Sequence, residues 1–143
     1  MKDSVVRLAV ATIEKPVLSG EFARVSLPTA AGRISVRPGH QTLVGLLAPG
    51  VLTAVNASGE EKDLLVTGGF FEVRANSDVA VMADSADPAD SLDSEEIRRA
   101  KERAERLLED RARMSAHEFA QAETALSREI VRLQLAMKYR AGQ

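Results

Sequence analysis

VAVMADSADPADSLDSEEIRRAKERAERLL, Val79 to Leu108, is where the hydrophobic period of the chain changes. Before it, short apolar runs are separated by Gly, Pro, Asn and Asp. After Ser91 the chain carries neither Gly nor Pro until Gly142. Asp93 with Glu96 three residues on is a capping-box pattern, Asp replacing the usual Ser or Thr, and it opens a helix. The stretch therefore predicts an α+β chain: an N-terminal all-β domain, a β-sandwich or barrel, over residues 1–86, then an acidic linker and helical hairpin over 87–143.

Downstream, apolar or small residues fall at Ile97, Ala100, Ala104, Leu107 and Leu108. Ser115 with Glu118 is a second capping box. Its helix carries a narrow stripe of Phe119, Ala122, Leu126, Ile130, Leu133 and Met137. A break around Arg113 to Ser115 separates two helices, each about 30 Å long at 1.5 Å per residue. Two amphipathic helices joined by a short turn fold back as an antiparallel hairpin. Pairs such as Glu95 to Arg99, Glu102 to Arg106 and Glu109 to Arg113 fit a solvated face. The seam is rich in alanine, which lets helices approach closely but buries little area. Such a hairpin is held weakly and is a candidate moving element.

Upstream, VVRLAVAT sets Val6, Leu8 and Val10 on one face and Val5, Ala9 and Ala11 on the other. Further strand-like runs span 22–27, 34–36, 42–47, 51–55, 63–67, 70–73 and 79–82. Asn56 to Glu61, NASGEE, is a hairpin turn. Closely spaced short strands of this kind make a sandwich or barrel.

Composition excludes several classes of function. The chain has 143 residues, 45% of them hydrophobic, a formal net charge of -2, no cysteine and two histidines. Thiolate chemistry, disulfides and multi-histidine metal sites are out of reach, and there is no basic footprint for nucleic acid. The N-terminal MKDSVVRLAVATIEKP has a short apolar run broken by Arg7 and reads as no secretory signal. No run approaches the roughly 20 apolar residues of a membrane span. The expectation is a soluble cytosolic protein, or a soluble part of something larger, without direct membrane insertion.

Candidate chemistry is thin. Gly68-Gly69 in VTGGFFEV is followed by a strand-like run rather than by the helix a phosphate loop needs, so a tight turn or bulge is expected. Asp84, Asp87 and Asp90 lack calcium-loop spacing and read as a solvated linker. His40 lies on a Pro-Gly corner in RPGHQTLVGLLAPG, beside Arg37, with no nucleophile or orienting acid nearby. His117, in the first turn of the second helix, reads as surface. The residues describe a β domain with a mobile helical arm: an interaction protein rather than an enzyme.

RPGHQTLVGLLAPGVLTAV and VTGGFFEVRANSDVAVMAD, in that order and followed by an acidic alanine-rich linker and two helices, resemble the epsilon subunit of bacterial and chloroplast F-type ATP synthase, the counterpart of mitochondrial delta. The resemblance runs from about Val6 to Lys138. It implies a non-catalytic central-stalk subunit that binds gamma, rests against the ring of c subunits and couples rotation to ATP synthesis. It also implies a peripheral position on the cytoplasmic side of the bacterial inner membrane.

In many members the hairpin extends into the alpha/beta catalytic head and inhibits ATP hydrolysis. Here Arg128, Arg132, Lys138 and Arg140 would be the cationic contacts. Arg33, Arg37 and His40 would lie on the c-ring side, with Arg33 standing where the family often has an acidic residue. Some members bind ATP as a regulatory ligand. The corresponding positions are Asp87, Asp93, Arg103, Arg128 and Arg132, with Leu92 and Asp93 matching the start of the motif and Glu96 replacing its arginine. No cofactor is required. A free-standing adaptor or nucleotide-sensing protein of the same layout is the alternative.

Overall fold

A computed structural model of the chain describes residues 4–91 and 93–141. It divides into two compact units, Met1–Ser91 and Leu92–Gln143. The expected boundary at 86/87 falls inside a strand, so the β unit runs a little further than the sequence suggests. Leu92, a position of the expected ATP motif, lies outside the described residues.

The described residues of the β unit form ten strands: β1 (Val6–Ala11), β2 (Pro16–Phe22), β3 (Arg24–Thr29), β4 (Gly32–Val36), β5 (Leu43–Leu47), β6 (Gly50–Val55), β7 (Glu61–Val66), β8 (Gly69–Arg74), β9 (Asp78–Ala83) and β10 (Ala86–Pro88). Their order is β10-β7-β6-β3-β5-β8-β9-β1-β2, with β4 on the other side of β3. β3 is the corner. Its first half pairs with β6 from Arg24 to Ser26, and its last residue reaches β5 through Thr29 opposite Leu47. β1 and β9 run parallel, whereas the other pairs are antiparallel.

The alternation predicted for β1 is the observed one. Val6, Leu8 and Val10 are buried and Ala9 is exposed. The same cluster takes Val25 and Leu27 from β3, Val36 from β4, Leu52 from β6, Phe71 and Val73 from β8, and Val79 and Val81 from β9. Burying side chains of this size contributes about 1.5–3 kcal/mol each before the entropy of ordering the chain is subtracted.

Two strands escaped the sequence reading. β2 is an edge strand paired only with β1, and its Pro16, Ser19, Gly20 and Glu21 are exposed, so its apolar signal is weak. β10 lies in the stretch read as a solvated linker, where Ala86, Asp87 and Pro88 pair with Val66, Leu65 and Leu64. Three residues are too short for a period, and only the ladder reveals them.

In the other unit, α1 spans Ser94–Glu109 and α2 spans Ala116–Ala141. Asp93 caps α1, its carboxylate accepting the Glu95 N–H at 2.9 Å rather than that of Glu96. Ser115 and Glu118 form the reciprocal capping box: Ser115 Oγ accepts the Glu118 N–H at 3.1 Å, and Glu118 Oε2 accepts the Ser115 N–H at 3.4 Å. The helices are antiparallel, and Arg140 Nη1 in the last turn of α2 donates to Ser94 Oγ in the first turn of α1 at 3.0 Å.

α1 ends earlier than expected. Glu109 and Asp110 place negative charge at its C-terminus, against the helix dipole, and a short 3₁₀ turn over Arg111–Arg113 follows. The Arg111 guanidinium stacks 4.6 Å from the centroid of the Phe119 ring and ties this turn to α2.

The seam also differs in detail. Ile97 is buried, and Ala100, Ala104 and Leu108 are half-buried, but Leu107 is 53% exposed. On α2, Ala122 and Ala136 are buried, while Met137 at 54% is not. At 3.6 residues per turn the buried line passes through Ala136, and the larger Met137 is rotated outward. The charge pairs shift as well, to Arg98–Glu95, Lys101–Glu105 and Arg113–Asp110.

Ser115→Ala removes the hydroxyl half of the capping box. It is expected to cost the hairpin about 1 kcal/mol, seen as faster amide exchange in the first turn of α2. Unchanged exchange at Glu118 would show that the box contributes nothing.

Candidate functional site

The outer face of β5, β8 and β9 is the most unusual surface of the β unit. β5 reads Leu-Val-Gly-Leu-Leu, and β8 opens Gly-Phe-Phe. A strand with one wet face should alternate apolar and polar residues, whereas a continuous apolar run is the mark of a strand covered on both faces. Here the inner face takes Leu47, Phe71, Val73 and Val81. The outer face carries Val44 at 72%, Leu46 at 67%, Phe70 at 55% and Met82 at 37% exposure.

Register gathers these side chains. Leu46 pairs with Phe70 and Phe70 with Met82, giving a straight apolar row across three strands. The next row outward is Val44, Glu72 and Ala80. A contiguous apolar patch on a sheet is a place where another protein sits. The runs 42–47 and 70–73 carried this signal in the sequence, because they are apolar at consecutive positions. As sequence the same runs are explained equally well as core strands, and the expected partner contacts lie elsewhere, at Arg33, Arg37 and His40 and on the second helix.

The Arg37–His40 corner leads directly into β5. The His40 N–H donates to Arg37 O at 3.1 Å, closing the turn. Arg37 is exposed. His40 is half-buried rather than fully exposed, and its Nδ1 donates to Gln41 O at 2.8 Å. A carbonyl can only accept, so Nδ1 carries a proton, and Nε2 is the ring nitrogen left over. Among the described residues the ring's polar partner is that carbonyl alone, with no carboxylate or nucleophile on it.

Arg33 does not share an edge with His40. It pairs with Pro28 beside the Thr29–Gly32 turn, at the far end of β4 from the corner. Its guanidinium reaches across β3, donating from Nη1 to Val51 O at 2.6 Å and from Nη2 to Thr53 Oγ1 at 3.2 Å. Thr53 in turn donates to Asp63 Oδ1 at 2.7 Å. The arginine is thus part of a cross-strand ladder.

The positions expected to hold ATP are divided between the units. Asp87 is in β10 of the β unit. Asp93 is engaged as the cap of α1, and Arg103 and Arg128 are exposed on the helices. Arg132 grips Glu129 with both carboxylate oxygens, at 3.0 and 2.9 Å. Of the cations expected to meet the catalytic head, Arg128 and Lys138 are exposed, while Arg132 and Arg140 make contacts inside the hairpin. Among the described residues no group of His, Asp and Glu has metal-site geometry.

Comparison with known proteins agrees with this architecture. The family pattern described as ATP synthase, Delta/Epsilon chain, beta-sandwich domain matches residues 5–89. The chain is 38% identical over 138 residues to the ATP synthase epsilon chain of Herpetosiphon aurantiacus, covering 96% of this chain and 98% of that one. It is 37% identical over 131 residues to that of Moorella thermoacetica, covering 92% and 96%. Among solved structures, it is similar to a chain of the Euglena gracilis mitochondrial ATP synthase, in a complex of OSCP, F1 and c-ring. There the TM-score is 0.64 at 25% identity, over 94% of this chain and 81% of that one. With a β-sandwich, a helical hairpin and near full-length likeness to epsilon chains, the chain belongs to the ATP synthase delta/epsilon family, the non-catalytic subunits of the central stalk.

Proposed function

We propose that this stalk subunit is seated on gamma by the Leu46–Phe70–Met82 row, that its Arg37–His40 corner faces the c-ring, and that the α1–α2 hairpin regulates hydrolysis in the alpha/beta head. The observation that carries the reading is the bare apolar row on strands whose sequence is that of strands covered on both sides. Coupling then follows mechanically. A subunit fixed to both gamma and the ring transmits the torque of ion-driven rotation without doing chemistry of its own. Likeness over almost the whole chain to epsilon chains supports this reading over a free-standing adaptor.

None of the helices among the described residues is long and apolar enough to cross a membrane. Likeness to epsilon chains is what supports a peripheral position held by partner subunits, on the cytoplasmic face of the bacterial inner membrane. Co-expression with gamma tests the docking. A one-to-one complex is expected, and a lone subunit would overturn it.

The hairpin makes a separate prediction. Ala122 and Ala136 occupy its buried line, and small side chains bury little area, so it separates at modest cost. Opening would release Arg140 from Ser94 and add it to Arg128 and Lys138 as a basic face for the head, while Arg132 keeps Glu129 one turn away on the same helix. A chain ending after Ser91 is expected to join the stalk and to raise ATP hydrolysis by the assembled complex several-fold. Unaltered hydrolysis would remove the regulatory role. ATP as a weak regulatory ligand would compete with Glu129 for Arg132, and no heat in calorimetric titration at millimolar ATP would dismiss it.

A further inference from the structure

Ser77 breaks a local rule. It is buried, 3% exposed, yet its backbone is left-handed at φ +63, directly after Asn76 at φ +65. Asparagine tolerates that region because its short polar side chain bonds locally, whereas serine gains little there. A strained residue persists only where its surroundings hold it. Two contacts from β1 do so: Arg7 Nη2 donates to Asn76 O, and Arg7 Nε to Asp78 Oδ1, each at 2.6 Å. They clamp the Ala75–Ser77 turn between β8 and β9.

The clamped turn carries a hydroxyl to the Pro-Gly-His corner. Ser77 Oγ accepts the Gly39 N–H at 2.9 Å, across 38 positions of sequence. Proline at the first central position and φ +83 at Gly39 make Arg37–His40 a type II turn. Types I and II differ by a flip of the central peptide, which reverses the Gly39 N–H and the Pro38 carbonyl. Ser77 receives the N–H only in the type II orientation.

We infer that Ser77 is a positioning residue: its hydroxyl, braced by Arg7, locks the Pro38–Gly39 peptide and so fixes the face that the corner shows to a partner subunit. This rests on the reading that the corner meets the c-ring. Carbonyl and N–H of a trans peptide point in opposite directions. With its N–H turned to Ser77, the peptide presents the Pro38 carbonyl away from the domain. The corner then offers the Pro38 carbonyl as an acceptor, with the His40 imidazole and the exposed Arg37 cation beside it. That set fits a polar loop bearing N–H or O–H donors and a carboxylate.

The test uses the full chain and the detergent-solubilised cognate c-ring with gamma. Ser77→Gly deletes the hydroxyl and suits a positive φ, so the fold survives; Ser77→Ala deletes the hydroxyl and keeps the strain. Both are expected to speed exchange of the Gly39 amide by roughly tenfold, as loss of one hydrogen bond implies. Both are also expected to weaken ring binding about fivefold or more, the cost of an unfixed contact loop. Unchanged Gly39 exchange in Ser77→Gly overturns the lock. Faster exchange with unchanged ring binding, where His40→Ala does weaken binding, overturns the positioning role. Unchanged ring binding in His40→Ala and Arg37→Glu removes the contact reading itself, and the proposal with it.

Discussion

Phe70→Asp is expected to leave the fold intact and to weaken binding to gamma by roughly 100-fold or more. Phe70 stands in the middle of the apolar row, between Leu46 and Met82, and is 55% exposed. In the free subunit the substitution removes no core contact, so stability should shift by only about 0.5 kcal/mol. In the complex it would both empty the centre of the interface and bury an unpaired carboxylate. Truncating a central aromatic anchor commonly costs about 2–4 kcal/mol, and the stranded charge adds to that. Leu46→Asp should behave alike. Leu107→Asp, at an exposed apolar position of α1, is the control and should bind as the parent does. Gamma binding by both β-unit variants at parental affinity would show that the row is not the docking face.

Gly69→Ala should cost the β unit about 4 kcal/mol or more, through a clash that no side chain can relieve. Gly69 has φ +128, and a Cβ there would lie 2.1 Å from the Met82 carbonyl oxygen and 2.8 Å from Ala83 Cα. Both atoms belong to the backbone of β9, which pairs with β8 through Gly69 opposite Ala83. Relief requires the two strands to part, next to the Phe71 and Val81 side chains of the core. Against a typical total of about 5–15 kcal/mol this is a large loss, read as a melting point lower by about 15 °C or more.

Gly32 isolates the cause. Its φ is also positive, +115, but a Cβ there meets nothing within 4 Å. Gly32→Ala should therefore cost only the conformational part, about 1–2 kcal/mol. Equal melting points for the two variants would refute the steric account. The pair read in the sequence as a tight turn or bulge is thus a bend in which the second glycine touches the neighbouring strand.

Much of the fold was legible because it rests on local periodicity. The alternation of Val6, Leu8 and Val10, the Asn56–Glu61 hairpin and the caps at Asp93 and Ser115 are patterns within a few residues, and each appears where the chain predicts it. The elements that were hidden have weak local signals. β2 is a polar edge, and β10 becomes a strand only because Leu64, Leu65 and Val66 provide its ladder. Leu107 and Met137 satisfied a helical period, yet lie beside the buried line rather than on it. Rotation of one helix against another is settled by close packing at residues such as Ala136.

The contact residues show the same division more sharply. The sequence by itself determined a two-part chain without catalytic machinery, because hydrophobic period, caps and the lack of cysteine are properties of neighbouring residues and of composition. Tertiary structure alone decided which residues meet. It set Leu46, Phe70 and Met82 side by side, put Arg33 and His40 at opposite ends of β4, and brought Ser77 to Gly39. Strand register and the corner at β3 determine those meetings. They arise from pairings between residues far apart in the chain, which no local pattern encodes.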